Sequence, residues 1–211
     1  MKKYLKWLLI CVLFFTISVF LQECGHGLAN ALAGIPCSTG FNRVGDIYKF
    51  PRDNDFRAFY SSTNPVLLDF GVPCTIALAI VGTVLFTKTK NEKFQYYGAA
   101  LAIDNCLLRF IPCSLVLIMP LVTGKPHIED EYETGQLLVQ LVGNGILLYV
   151  PALVSWLITA VCLVITAGTA RKRHVDHVFA FSAVSVLAII IGFAIVFVLD
   201  NYIRINWQPF V

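Results

Sequence analysis

The sequence predicts an all-α, polytopic helical membrane protein of about five transmembrane helices in one domain, residues 1–211, and three observations carry that prediction. Hydrophobic residues make up 57% of the chain and charged residues only 14%, where soluble domains carry roughly 25% charged residues; mean hydropathy is +0.74. The charges are gathered into short clusters between long apolar runs. As helices, those runs reach the length of about 20 residues that a hydrocarbon core roughly 30 Å thick requires. Helices are the economical way across, because lipid offers the backbone no hydrogen-bond partners.

The first span, 7–32, opens on the run Trp7 to Leu21 and continues as helix through Leu32. It reads as an uncleaved anchor. Its apolar run of about 15 to 17 residues lies at or beyond the upper end of a signal-peptide core of roughly 7 to 15. The small-residue triplet Ala31-Leu32-Ala33 falls well past the end of that run, and Gln22-Glu23 replaces the small residues that precede a lipoprotein cysteine. The second span, 66–86, follows Asn64-Pro65, and the third, 94–122, is interrupted by Asp104 and Arg109. The uncharged stretch Thr134 to Ala170 is too long for one crossing. Gly143-Asn144-Gly145 and Pro151 therefore mark a bend or an interfacial piece ahead of a fourth span, 145–168. The fifth is 178–200.

Between the first two spans, residues 35–64 place Phe41, Val44, Ile47, Tyr48 and Phe50 among polar residues, which suits a small interfacial hairpin or loop. Gly34, Pro36, Gly40 and Gly45 punctuate it as turns. Trp207 fits a membrane-interface anchor.

Loop charge sets an orientation. The amino terminus carries +3, the 87–95 loop +2 and the 168–177 loop +2; the opposite side carries +1 over 35–64, −3 over 123–136 and 0 over 200–211. By the positive-inside rule the amino terminus is cytoplasmic and the carboxy terminus outside. Three amino-terminal lysines and compact loops suit a bacterial plasma membrane. The lipid bilayer is the expected partner: Lys88-Thr89-Lys90 and Arg171-Lys172-Arg173 attract anionic lipid and give no reason to invoke nucleic acid. Of seven cysteines, Cys11, Cys74, Cys106, Cys113 and Cys162 fall in apolar spans as small buried hydrophobes. Cys24 and Cys37 lie near the outer face and are placed to pair in an oxidising compartment. No CxxC pair exists to suggest a cysteine-based zinc site.

Ionisable side chains inside a bilayer are costly and are functional candidates by default. Glu23 and His26 are the most telling. Gln22 and His26 stand at i and i+4 and project from one helix face, with Glu23 about 100° away. That is the geometry of a metallohydrolase helix, in which two side chains hold zinc and the adjacent glutamate takes a proton from the metal-bound water. Gly25, Gly27, Ala29, Ala31 and Ala33 surround the site with small residues that let neighbouring helices approach. The bland reading is that Glu23 and His26 cap and solvate the outer end of the helix.

The segment from Glu23 to Pro36, Glu-Cys-Gly-His-Gly-Leu-Ala-Asn-Ala-Leu-Ala-Gly-Ile-Pro, resembles the active-site helix of the site-2-protease-like intramembrane zinc metalloproteases, whose pattern is His-Glu-x-Gly-His followed by an alanine-rich helix and a glycine. Asp69-Phe70-Gly71-Val72-Pro73 is similar to that family's Gly-Pro element at the second span. Asn105-Cys106-Leu107-Leu108-Arg109-Phe110-Ile111-Pro112 is similar to its Asn-Leu-Leu-x-x-x-Pro element. Asp130-Glu131 followed by Gly135-Gln136-Leu137-Leu138 is similar to the acidic motif that supplies the third metal ligand. The resemblance covers most of residues 18–140. It implies zinc held by Gln22, His26 and an acid, Glu23 as general base, and hydrolysis of a peptide bond of a membrane-protein or peptide substrate. One departure stands out: the family's first histidine is Gln22 here, whose neutral carbonyl is a poorer zinc ligand than imidazole.

Depth helps to choose the acid. His26 lies about 30 Å along its helix from the cytoplasmic end and Asp104 only about 15 Å into the third span, at 1.5 Å per residue. Asp130 follows the outer end of that span and is preferred, with His127 and Asp104 in reserve. Asp104 and Arg109 otherwise read as buried structural charges, poorly spaced to pair with each other, with Arg109 reaching another helix and perhaps Asp69. The acidic run 129–133 otherwise reads as a solvated loop. Three functions follow as expectations: a membrane-embedded zinc metalloprotease-like hydrolase; a catalytically inactive protein of the same fold that binds a membrane partner; and a small transporter using Asp69, Asp104 and Arg109, which the absence of an inverted repeat disfavours.

Overall fold

The computed structural model describes residues 2–47, 70–173 and 178–209. Among them are six α-helices: α1 (Lys2–Leu32), α2 (Gly71–Lys88), α3 (Glu92–Thr123), α4 (Asp130–Val142), α5 (Val150–Lys172) and α6 (Val178–Leu199). The all-α expectation holds. Four helices are long and apolar enough to cross a membrane: Lys2–Leu32, Gly71–Lys88, Glu92–Thr123, and Gly145–Lys172, which includes a 3-10 turn over Gly145–Tyr149; Ala183–Leu199 of α6 is a shorter apolar helix.

The uncharged stretch after α3 resolves as its glycines suggest. Gly143 adopts φ 75°, a left-handed conformation that ends α4, and the chain turns through the 3-10 segment before α5 rises from Pro151. The extra piece is thus a separate amphipathic helix, α4, with its acids in the first turn. The expected fourth span, 145–168, falls within the apolar helical stretch Gly145–Lys172, whose first five residues form the 3-10 turn.

Helices α2 and α3 pack at close range because glycine faces backbone across the pair. A Cβ built on Gly82 would lie 2.5 Å from the Ala102 nitrogen, and one on Gly98 would lie 2.7 Å from the Phe86 nitrogen. Polar links tie the other helices. Trp7 Nε1 donates to Ser185 Oγ at 3.0 Å, Asn105 Nδ2 to Ser18 Oγ at 3.0 Å, and Trp156 Nε1 to Ser114 Oγ at 2.9 Å. At the end of the bundle that holds the lysine-rich amino terminus, Arg173 donates to the carbonyls of Phe86 and Thr87 and closes α5 over α2.

The opposite end carries a three-stranded antiparallel sheet. The hairpin pairs β1 (Cys37–Thr39) with β2 (Val44–Gly45), and β3 (Ile205–Trp207) adds to the other edge of β1. The first strand lies earlier than the Phe41 to Phe50 pattern suggests; Phe41 falls in the turn and stacks on Phe20 with centroids 4.4 Å apart. Tyr48, Phe50 and Asp69 lie outside the described residues. The third strand is new. Trp207 turns inward, with Nε1 donating to Thr39 Oγ1 at 2.8 Å and its ring against Gly27 of α1, where a Cβ would collide with it. The cysteines are free: Cys37 donates its thiol to the Gly27 carbonyl at 3.7 Å and is not joined to Cys24.

Asp200 locks this end. Its carboxylate accepts from the backbone of Phe41 at 2.9 Å and Asn42 at 3.0 Å, and from the guanidinium groups of Arg43 and Arg204. Burial alone would raise its pKa, but the hydrogen bonds from Arg204 and Arg43 outweigh burial and hold it below the usual carboxylate range. A depressed folded-state pKa gives stabilisation that is whole above the unfolded value of about 3.9 and is lost as pH falls below it. Asp200→Ala should therefore cost about 3 kcal/mol in denaturation of the detergent-solubilised protein near neutral pH. Asp200→Asn should flatten the loss of stability that the wild type shows as pH is lowered below about 4.

Candidate functional site

The carboxy-terminal end of α1 is wedged between three elements, and its sequence explains how. Gly25 meets the start of α2 so closely that a Cβ would lie 2.7 Å from the Phe70 carbonyl. One residue on, the His26 ring lies across Gly71, where a Cβ would come within 2.5 Å of its Cε1 and Nε2. Gly27 receives Trp207. Three successive contacts thus need a glycine at 25, 27 or 71, and they fix the rotation of α1. That rotation turns Gln22 and His26 together toward α3 and the first turn of α4.

Three helices, α1, α3 and α4, meet at this point. Asp130 Oδ2 accepts from Gln22 Nε2 at 2.9 Å and from Arg109 Nη1 at 3.3 Å, and lies 3.6 Å from His26 Nε2. Arg109 Nη2 donates to Gln22 Oε1 at 2.5 Å, and its Nη1 also reaches Glu131, 3.5 Å from Oε1 and 3.4 Å from Oε2. Glu131 Oε1 accepts from the Cys113 thiol at 3.2 Å. Arg109 and Glu131 are buried, while the side chains of His26 and Asp130 keep 16% and 28% of their exposure and form the rim. Burial pushes the Asp130 carboxyl up, but His26 and then Arg109 outweigh it and hold it well below the ordinary carboxylate range. Glu129 is pushed the other way, by burial and by the neighbouring Asp130 charge.

The residues singled out in the sequence distribute as follows. Gln22, His26 and Asp130 come together. Glu23 is buried beside them and forms no hydrogen bond or ion pair among the described residues. His127 turns to Glu129, with Nε2 to Oε1 at 3.1 Å, and Asp104 lies deeper in the bundle, so neither reserve acid or base reaches the cluster. Arg109 does reach another element, at Asp130 and Glu131. The acidic run is not a solvated loop, since its Glu131 is 2% exposed. The roles of Glu131 and Cys113 were not visible in the sequence; a signal existed only in Arg109, whose buried charge demanded an acid somewhere.

The zinc that the resemblance implies can be tested against this donor set. Two ligands at about 2.0–2.2 Å from a tetrahedral zinc lie about 3.3–3.5 Å apart, and the His26–Asp130 separation of 3.6 Å is close to that. The third position fails. Gln22 presents its carbonyl oxygen to Arg109 and its amide nitrogen to Asp130, and a flipped amide would set nitrogen against guanidinium and oxygen against carboxylate. The guanidinium also takes the Asp130 oxygen that an ion would need. No group of three His, Cys, Asp or Glu side chains among the described residues is placed to hold a metal ion. As arranged, these residues do not fit zinc.

No protein-family model, curated protein or solved structure matches the chain.

A buried cation shared by two carboxylates makes its own removal costly. Arg109→Leu should lower stability by about 3–5 kcal/mol, because two acids lose their counter-charge. Adding Glu131→Leu to that variant should recover part of the loss, which a double-mutant cycle in detergent would measure.

Proposed function

We propose that the chain is an integral membrane protein that crosses the bilayer with α1, α2, α3, α5 and α6 and keeps the helical plan of the site-2-protease-like metalloproteases without their metal. In this reading the outer polar cluster binds a peptide segment of a membrane partner and does not cut it. The observation that carries the reading is Arg109, a fixed positive charge among Gln22, Asp130 and Glu131 where a metalloprotease would have its ion. Apolar helix length, and the gathering of Lys2, Lys3, Lys6, Lys88, Lys93 and Arg171 to Arg173 at helix ends, support the crossings and a cytoplasmic amino terminus. Leu141, Val142 and Ile146, all more than half exposed at the far end of α4 and the turn after it, suit the membrane interface.

A second reading, retained hydrolysis, draws on the near-ligand spacing of His26 and Asp130 and on Glu23 next to them. Metal content separates the two. Purified wild-type protein should hold far less than one zinc per chain, and Gln22→His combined with Arg109→Gln should raise it toward one. One zinc per wild-type chain, lost on His26→Ala, would establish the second reading in place of the first. The membrane placement has its own check: the chain should stay in the membrane pellet through alkaline carbonate extraction, and release into the supernatant would refute it.

A further inference from the structure

Among the described residues, seven buried side-chain atoms have no hydrogen-bond partner, and five of them belong to α3: the Tyr96 hydroxyl, both Asp104 oxygens, Asn105 Oδ1 and Arg109 Nε. Asp104 is the acid of that set and is 0% exposed. It forms no ion pair among the described residues. The cation nearest in sequence, Arg109, lies about 7.5 Å further along the helix axis and is engaged by Gln22, Asp130 and Glu131.

What faces Asp104 from α1 is the Cys11 thiol. That sulfur lies 3.8 Å from Ser185 Oγ of α6, the same hydroxyl that accepts from Trp7 Nε1 at 3.0 Å. Around these groups the bundle is apolar, with Phe86, Ala99, Ala100 and Ala188 in the same core. A bare carboxylate in such surroundings costs far more than neighbouring dipoles return. Its charge has to be cancelled by a bound cation, and the donor set decides which. Divalent ions take six or more oxygen donors; here there are one carboxyl group, a thiol, and a hydroxyl already shared with Trp7 and Cys11. A proton needs a single oxygen.

We propose that Asp104 is a proton-binding site in the interior of the helix bundle, with the Cys11 thiol of α1 as its neighbour and Ser185 Oγ beside that thiol. The proton forms an O–H bond on one Asp104 oxygen and is taken from water, so no other reactant is needed. Asp104 stands at the inner end of the polar line along α1 and α3 that continues through Ser18–Asn105 to Gln22–Arg109. An exchangeable proton held at such a depth is the element that proton relays in membrane proteins are built from. The proposal rests on burial and donor chemistry at Asp104 and is independent of whether the outer cluster holds a metal.

Infrared spectroscopy of the purified protein at neutral pH tests it. The wild type should show the carbonyl stretch of a protonated carboxylic acid, shifted in D2O, and the wild-type minus Asp104→Asn difference spectrum should contain that band at one carboxyl per chain. Asp104→Glu and Cys11→Ala should keep the band at an altered frequency. Should Asp104→Asn fail to fold, those two variants carry the test, and a band unmoved in both would overturn the proposal. A difference spectrum with no protonated-carboxyl band, showing instead the loss of carboxylate stretches, would overturn it as well. So would a band that vanishes when sodium is added, which would assign the site to a metal ion.

Discussion

Everything around the start of α4 is organised by one demand: a guanidinium buried in a helix bundle must have carboxylates beside it. Arg109 sits on α3 where α1 and α4 converge, with almost no water to share its charge. Asp130 and Glu131, the first two residues of α4, answer it from one side, and the Gln22 carbonyl answers from the other. Because the acids occupy the first turn of α4, satisfying the arginine also draws that helix start against α3. The 3-10 turn and α5 then follow with little freedom, since Gly135 of α4 lies against the Leu148 backbone with no room for a side chain.

The same demand explains why metal chemistry is difficult here. A divalent ion and a guanidinium compete for the same anionic oxygens, and the arginine is tethered whereas the ion is not. A glutamine at position 22 accommodates the arginine, because a single amide offers an acceptor to the guanidinium and a donor to Asp130 at once. Gln22 and Arg109 thus form one device. Either substitution alone would leave the other with an unmatched partner.

Much of the helical plan was legible in the sequence, because apolar length and charge clustering are local signals. The helix breaks at Gly143 and Pro151 were equally readable, since each residue acts through its own backbone. The meeting of Gln22, His26 and Asp130 was legible only through the motif resemblance and an argument from depth. The fate of Arg109 was half legible: its burial announced a partner, but nothing within its own helix said which acid, and the partner proved to lie 21 and 22 residues further on. The strand Ile205–Trp207 was not legible at all. Three residues carry no period, and what makes them a strand is the edge of β1, 168 residues away in the chain.

That last pairing has a consequence for assembly. β1 emerges early in synthesis, directly after α1, yet one of its edges stays open until the residues beyond α6 arrive on the same side of the bundle. If the helices cross a bilayer as proposed, an odd error in the number of crossings would put β3 on the wrong side, and the sheet would lack a strand. The Asp200 clasp would likewise find only one of its two loops. In that membrane-spanning reading the small sheet acts as a parity check on insertion, completed only when every helix between its strands has taken its proper direction.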